Sequence, residues 1–180
     1  LLAEMLRKSE MIIFNRCDEV EDLSLYRRNI KAINQQADIV FEGAEGEINQ
    51  IFEEDLPYSL DAPVIELDNE GYGIWYLDIQ DHPERYEGKT ITFTAQAMTG
   101  ARLPKGTFVP GRNAMTCCVE DIRFFGFLCR YDKVRSLRRG EWVTVTAEIR
   151  WEHADVYEDE GVVLYARSVE KTVSPKDPLV

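Results

Sequence analysis

Lys89–Met98 reads KTITFTAQAM, and this stretch decides the fold. Ile91, Phe93 and Ala95 share one side of a two-residue alternation, the pattern of a half-buried strand. Four more stretches downstream carry strand signals: NAMTCCVED (113–121), FFGFLCRYD (124–132), EWVTVTAEIRWE (141–152) and GVVLYARSVEK (161–171). Glycines and charged turns separate them. Five such strands with few helices predict a small all-β Greek-key barrel of the OB type. KVRSLRRG (133–140) falls where such barrels carry a connector between their third and fourth strands. Just upstream, GIWYLDIQDHPERY (73–86) predicts a short leading helix with Pro83 near its end.

Further upstream the rhythm changes. Ala62–Leu67 reads as a possible strand, and the proline-bracketed joint Pro57–Pro63 marks a boundary. Before it, Leu1, Leu2, Met5 and Leu6 lie at helical spacing, and Met11–Phe14 (MIIF) is a short apolar run suited to a buried parallel strand. Leu23–Asn34 returns to helical spacing through Leu25, Tyr26, Ile30 and Ile33. Ala37–Gly43 is a second strand. EGEINQIFEEDL (45–56) predicts a short amphipathic helix with Ile48, Ile51 and Phe52 on one face. This alternation belongs to a doubly wound sheet, but two strands cannot bury both of its faces. The organisation expected is therefore α+β: a truncated α/β segment over 1–57, a linker over 58–70, and the barrel with its leading helix over 71–180.

Composition bounds the function. The chain has 180 residues, a net charge of −12 and 30% charged residues. An acidic chain repels phosphate backbones, so no nucleic-acid partner is expected. No apolar run approaches the roughly 20 residues that cross a bilayer, and no secretory leader is visible, so a cytoplasmic protein without membrane insertion is expected. The four cysteines, Cys17, Cys117, Cys118 and Cys129, are irregularly spaced and read as reduced thiols.

Two constellations carry chemistry. Asn15-Arg16-Cys17-Asp18 follows the first strand directly. An aspartate there can accept N–H bonds from the N1 and N2 edge of guanine, which adenine does not offer. The Arg16 guanidinium can stack on a base face. Asn-x-x-Asp after a strand also suits a simple turn or helix cap. The stretch from Leu1 to Ile48, with Ile33-Asn34 and Ala37-Asp38-Ile39 in register, resembles the C-terminal part of the P-loop GTPase domain of CobW-like metal chaperones. The resemblance implies that Asn15, Arg16 and Asp18 read guanine and that Glu42, Gly43 and Ala44 close over the base. GTP and Mg²⁺ are thereby implied as cofactors of the whole GTPase. The chain contains no G-x-x-x-x-G-K-[ST] phosphate loop and no Cys-x-Cys-Cys motif, so GTP hydrolysis is not expected of it. Opening on Leu1 in mid-helix, it reads as the back half of a longer protein.

The second constellation is Met115-Thr116-Cys117-Cys118. Thiolates at Cys117 and Cys118 are soft ligands for zinc, yet neighbouring strand residues face opposite ways, which equally suits a purely structural pair. Arg112 and Asp121 flank the block and are expected either to form a polar pocket with it or to be a surface ion pair. His82 is expected to start a helix. His153 with Glu152 and Asp155 forms a weak candidate metal site or a solvated loop. Trp142 and Phe125 are expected in the core. Residues 71–180, through HPERYEGKTITF, the Met-Thr-Cys-Cys block and LYARSVEKTVSPKDP, resemble a domain of unknown function found in partners of predicted permeases and fused to some CobW-like GTPases. Together these resemblances imply a fragment of a GTP-dependent metal-homeostasis protein, its barrel recognising a metalloprotein target or handling zinc. The alternative is a non-catalytic interaction module docking to a permease subunit. A homodimer through the exposed strands of the first segment is also possible.

Overall fold

The computed structural model describes residues 2–20, 22–115 and 122–180. These form two compact units, Leu1–Asp55 and Leu56–Val180.

In the first unit, helix α1 (Leu2–Lys8) leads into strand β1 (Met11–Phe14), and helix α2 (Leu23–Ile33) crosses over to strand β2 (Asp38–Gly43). Asp22 caps α2, its carboxylate accepting the Leu25 N–H. β1 and β2 pair in parallel from Met11↔Asp38 to Phe14↔Phe41, the βαβ arrangement expected. Cys17, Leu23, Phe41 and Phe52 form a small core. The helix expected over 45–56 is absent. Instead β2 turns back on strand β3 (Gly46–Glu47) through Ala44 and Glu45, and Ile48 N–H extends the ladder to Phe41 O. Gly46 supplies the positive φ, 114°, that this tight hairpin requires. Only a 3₁₀ turn, Glu53–Asp55, remains of the expected helix.

In the second unit, strand β4 (Ile65–Leu67) precedes helix α3 (Asn69–Asp81). Strands β5 (Thr90–Met98), β6 (Thr107–Met115), β7 (Ile122–Gly126), β8 (Leu128–Arg130), β9 (Glu141–Ala154) and β10 (Asp159–Lys171) follow. β5 pairs with β9, β9 with β10, β10 with β8, β8 with β6, and β6 with β5 again, which closes the barrel. Only β8 and β10 run parallel within that ring. This five-stranded connectivity is that of the OB fold. The third barrel strand is broken between β7 and β8 at Phe127, whose ring turns toward the core. The connector over 133–140 is a single 3₁₀ turn, Val134–Ser136.

The segment 58–70, read from sequence as a linker, belongs to this unit. β4 pairs in parallel with β5, Ile65 opposite Ile91. The alternation of β5 is realised: Ile91, Phe93 and Ala95 point inward with Val143, Val145, Ala147 and Ile149 of β9. α3 covers one end of the barrel because Tyr72, Trp75 and Ile79 recur at helical spacing. The Trp75 ring lies 5.6 Å from Phe93 and 5.4 Å from Phe127. Removing so large a buried ring costs about 3–5 kcal/mol. The second strand begins six residues earlier than the NAMTCCVED reading, at Thr107, and its pairing with β7 ends on Met115↔Ile122. Trp142 and Phe125 are half-buried on the flanks of the barrel and not in its core.

Candidate functional site

Because β1 and β2 are parallel, their C-terminal ends lie side by side, where open α/β sheets bind ligands. The loops Asn15–Asp18 and Glu42–Ala44 meet there. Cys17 N–H donates to Glu42 O at 2.9 Å, and Ala44 N–H donates to Asp18 Oδ1 at 2.8 Å. A Cβ on Gly43 would overlap that same Asp18 oxygen, so only glycine permits the contact. Arg16 takes a left-handed conformation, φ 60°, at a cost of about 1 kcal/mol or more. Around that turn Cys17 is buried, its thiol donating to Phe14 O, while Asn15, Arg16 and Asp18 are exposed. The structure thus brings all six residues expected for guanine recognition to one edge. Asp18 Oδ2 has no hydrogen-bond partner among the described residues, which leaves an oriented acceptor facing solvent.

The second unit presents a charged group that the sequence left open between a polar pocket and a surface ion pair. Arg112 is 2% exposed. On β6 it follows Phe108 at even spacing, so its side chain starts inward. Its Nη2 donates to Asn69 Oδ1 at 2.7 Å and to Asp177 O at 3.1 Å, and Nη1 donates to Thr94 O at 3.3 Å. The guanidinium carbon stands 5.3 Å from the Trp142 ring centroid. Among the described residues no carboxylate pairs with it, and Nε is buried without a hydrogen-bond partner. Burial alone holds its pKa below the usual guanidinium range. Over this group runs the C-terminal strap, residues 172–180. Asn69 Nδ2 donates to the carbonyls of Asp177 and Leu179, and Val180 N–H donates to Asn113 O at 3.0 Å. Leu179 thereby bridges in parallel to the edge of β6 that β5 leaves free. Beside it, Tyr72, Gly73, Ile74 and Leu77 of α3, with Phe125 and Val180, line an apolar groove of about 490 Å³.

A third charged group is satisfied internally. Asp78, fully buried in α3, accepts from Arg85 Nη1 and Tyr86 OH, each at 2.6 Å, and Tyr58 OH adds to Tyr86 OH at 2.8 Å. Burial, with the bonds to Asp78 and Tyr58, pushes the Tyr86 pKa far up, and burial pushes Tyr58 up to about 12 although its bond to Tyr86 acts the other way.

The remaining expected sites stand as follows. Cys117, Cys118 and Asp121 lie outside the described residues. Cys129 is fully buried, and burial pushes its thiol up to about 12, so it stays protonated. His82 stands at the start of a short 3₁₀ turn, Pro83–Arg85, as expected, and also ends α3, its N–H donating to Asp78 O at 2.7 Å. His153 and Asp155 are 3.7 Å apart, but Glu152 is engaged by Tyr165 OH and Arg130. No cluster of three or more His, Cys, Asp or Glu able to hold a metal occurs among the described residues. No described helix is long and apolar enough to cross a membrane. The expectation against nucleic acid rested on total charge, yet residues 99–140 carry nine Arg or Lys and only three Asp or Glu. Total charge therefore does not describe the barrel's surface.

A family model, DUF1980 C-terminal domain, matches residues 44–180. No curated protein matches the chain. Among solved structures, the mitochondrial single-stranded DNA binding protein Rim1 of S. cerevisiae is similar at 9% identity, covering 47% of this chain and 95% of its own, with a TM-score of 0.29. A small single-stranded DNA-binding protein from Streptomyces coelicolor gives 16% identity, 47% and 94% coverage and a TM-score of 0.28. A putative aspartyl-tRNA synthetase from Leishmania major Friedlin gives 9% identity, 69% and 22% coverage and a TM-score of 0.33.

Proposed function

The chain belongs to the DUF1980 C-terminal domain family, and from that premise we propose a division of labour between its two units. The edge formed by Asn15–Asp18 and Glu42–Ala44 reads a guanine base as the end of a CobW-like GTPase domain. The barrel is the attached partner-binding module. One observation carries the first part: Asp18 is fixed by the Ala44 N–H through one oxygen while the other stays open. A carboxylate held this way faces two N–H donors on the guanine edge. Adenine presents an acceptor at its N1, so the carboxylate repels it. Arg16, exposed beside it, supplies a flat cation for the base face.

These residues fit the base, not the phosphates: the chain has no phosphate-loop sequence. The affinity expected is that of a base edge in solvent, a Kd on the order of 1 mM, which corresponds to ~4 kcal/mol. Amide NMR of the chain tests it, with GMP and AMP added to 10-fold excess over ~1 mM. GMP is expected to move the amides of Asp18, Gly43 and Ala44, and AMP to leave them in place. Asp18→Asn replaces an acceptor with a donor, so GMP binding is lost and XMP, which carries a carbonyl at C2, is gained. Equal shifts with AMP, or an unchanged response in Asp18→Asn, refute the assignment.

A further inference from the structure

A buried guanidinium without a carboxylate is expensive. Taking a cation out of water costs several kcal/mol unless a charged partner or a full set of acceptors offsets it. Among the described residues Arg112 has neither: its acceptors are two main-chain carbonyls and one amide oxygen, and Nε has none. The position of the empty donor is informative. Nε–H and one Nη2–H lie along the same edge of the planar guanidinium and form a two-pronged fork. Nη2 is met by Asn69 Oδ1 and by the Asp177 carbonyl, while no acceptor among the described residues meets Nε. A carboxylate has two oxygens at the right spacing to take both, in the bidentate geometry that is stronger than neutral hydrogen bonds.

The surroundings say what kind of carboxylate. The resident of this site is an extended backbone: Asp177 O on Arg112, Asp177 O and Leu179 O on Asn69, and Val180 N–H on Asn113 O. Strand-edge bonds of this sort recognise main chain whatever the side chains. Val180 enters the apolar groove along α3, which continues past it over Gly73, Ile74 and Leu77. Leu77 is 58% exposed, so the groove wall is open to solvent. The strap itself is exposed over most of its length and is held by few bonds.

We propose that Arg112 and Asn69, with the groove along α3, form a receptor for the C-terminus of a partner peptide that ends in apolar residues. The resident strap occupies the site as an imperfect substitute. The incoming terminal carboxylate replaces the Asp177 carbonyl and spans Nε and Nη2. The apolar residues before it lie along the groove, their backbone taking the bonds that Leu179 and Val180 give up. Affinity then comes from charge pairing and main-chain bonds, and selectivity from the groove.

The test uses the full chain and a fluorescein-labelled octapeptide ending in Leu-Val-Leu with a free carboxylate, with its C-terminal amide as twin. Anisotropy is expected to show binding of the acid at least 10-fold tighter than of the amide, and loss of that preference in Arg112→Gln. Should Arg112→Gln fail to fold, the acid–amide comparison on the wild-type chain decides alone. Hydrogen exchange supplies a readout that a merely structural Arg112 would not move: the acid should speed exchange at the Val180 amide by 10-fold or more. Equal binding of acid and amide, no binding of either, or an unmoved Val180 amide overturns the proposal. Decanoate binding tighter than the peptide, with decanol inert, also overturns it, because the ligand would then be a fatty acid.

Discussion

Tyr86→Phe removes one oxygen from the buried chain Arg85–Asp78–Tyr86–Tyr58. Tyr86 OH donates to Asp78 Oδ2 at 2.6 Å, so it can only accept from Tyr58 OH, 2.8 Å away. The substitution therefore breaks a bond to a fully buried carboxylate and strands the Tyr58 hydroxyl. A hydrogen bond to a charged group contributes about 1.5–3 kcal/mol and a neutral one about 1, so the loss should be about 3 kcal/mol. Tyr58→Phe breaks only the neutral bond and should cost about 1 kcal/mol. The double variant should cost no more than Tyr86→Phe alone, because Tyr58 has nothing left to lose. Urea unfolding followed by tryptophan emission is the assay. Trp75, Trp142 and Trp151 all lie in the second unit, so the signal reports on it alone. In heat, 3 kcal/mol corresponds to a fall in Tm of roughly 10 °C. Equal costs for the two single variants, or a Tyr86→Phe cost below about 1 kcal/mol, would refute the polarity assigned to the chain of hydroxyls.

Alkali should loosen the second unit by a predictable route. The Cys129 thiol ionises near 9 when unfolded and near 12 when folded, and Tyr58 rises from 10 to about 12. Over that window the unfolded chain has released protons that the folded chain keeps, so stability falls as pH rises, by up to ~4 kcal/mol from Cys129 alone. Urea midpoints from pH 8 to 11 measure it, and Cys129→Ala should delay the fall to above pH 10. In α3, a Cβ on Gly73 meets nothing within 4 Å. Gly73→Ala should therefore stabilise the unit by roughly 0.5–1 kcal/mol through helix propensity, read as a higher urea midpoint. Gly43→Ala should push Asp18 away from Ala44, abolishing the GMP-induced amide shifts while leaving the unfolding of the second unit unchanged.

The barrel was legible because β5 and most of β9 keep a two-residue period. Ile91, Phe93 and Ala95 announce an inward face, and the structure puts them there. The hairpin of β2 and β3 was missed because Ile48, Ile51 and Phe52 fit a helix equally well over so short a span. The glycines at 43 and 46, flanking a two-residue loop, were the better signal. The linker reading failed for a different reason: prolines at 57 and 63 break regular structure but do not stop the segment between and after them from packing. Ile65 and Leu67 are buried in the barrel's own core. The strap could not be read at all, since nothing in SPKDPLV specifies which strand edge it will meet. Arg112 left a trace that was passed over. It shares the parity of Phe108 on β6, and a lone arginine at an inward position is a question that the surface ion-pair reading did not ask.

Three charged side chains show how that question is answered. Asp78, Asp18 and Arg112 are each fixed by hydrogen bonds, but they differ in what is left over. Asp78 has both oxygens taken, one by a cation, so nothing remains for a ligand and its work is cohesion. Asp18 is held by a single main-chain N–H and keeps an oxygen toward solvent, which costs nothing because water reaches it. Arg112 keeps an empty donor where water does not reach, which does carry a cost. A fold tolerates the first arrangement for stability and the second for either purpose. The third lowers stability unless a partner completes it, so among the described charges it is the one whose geometry argues most directly for a missing ligand.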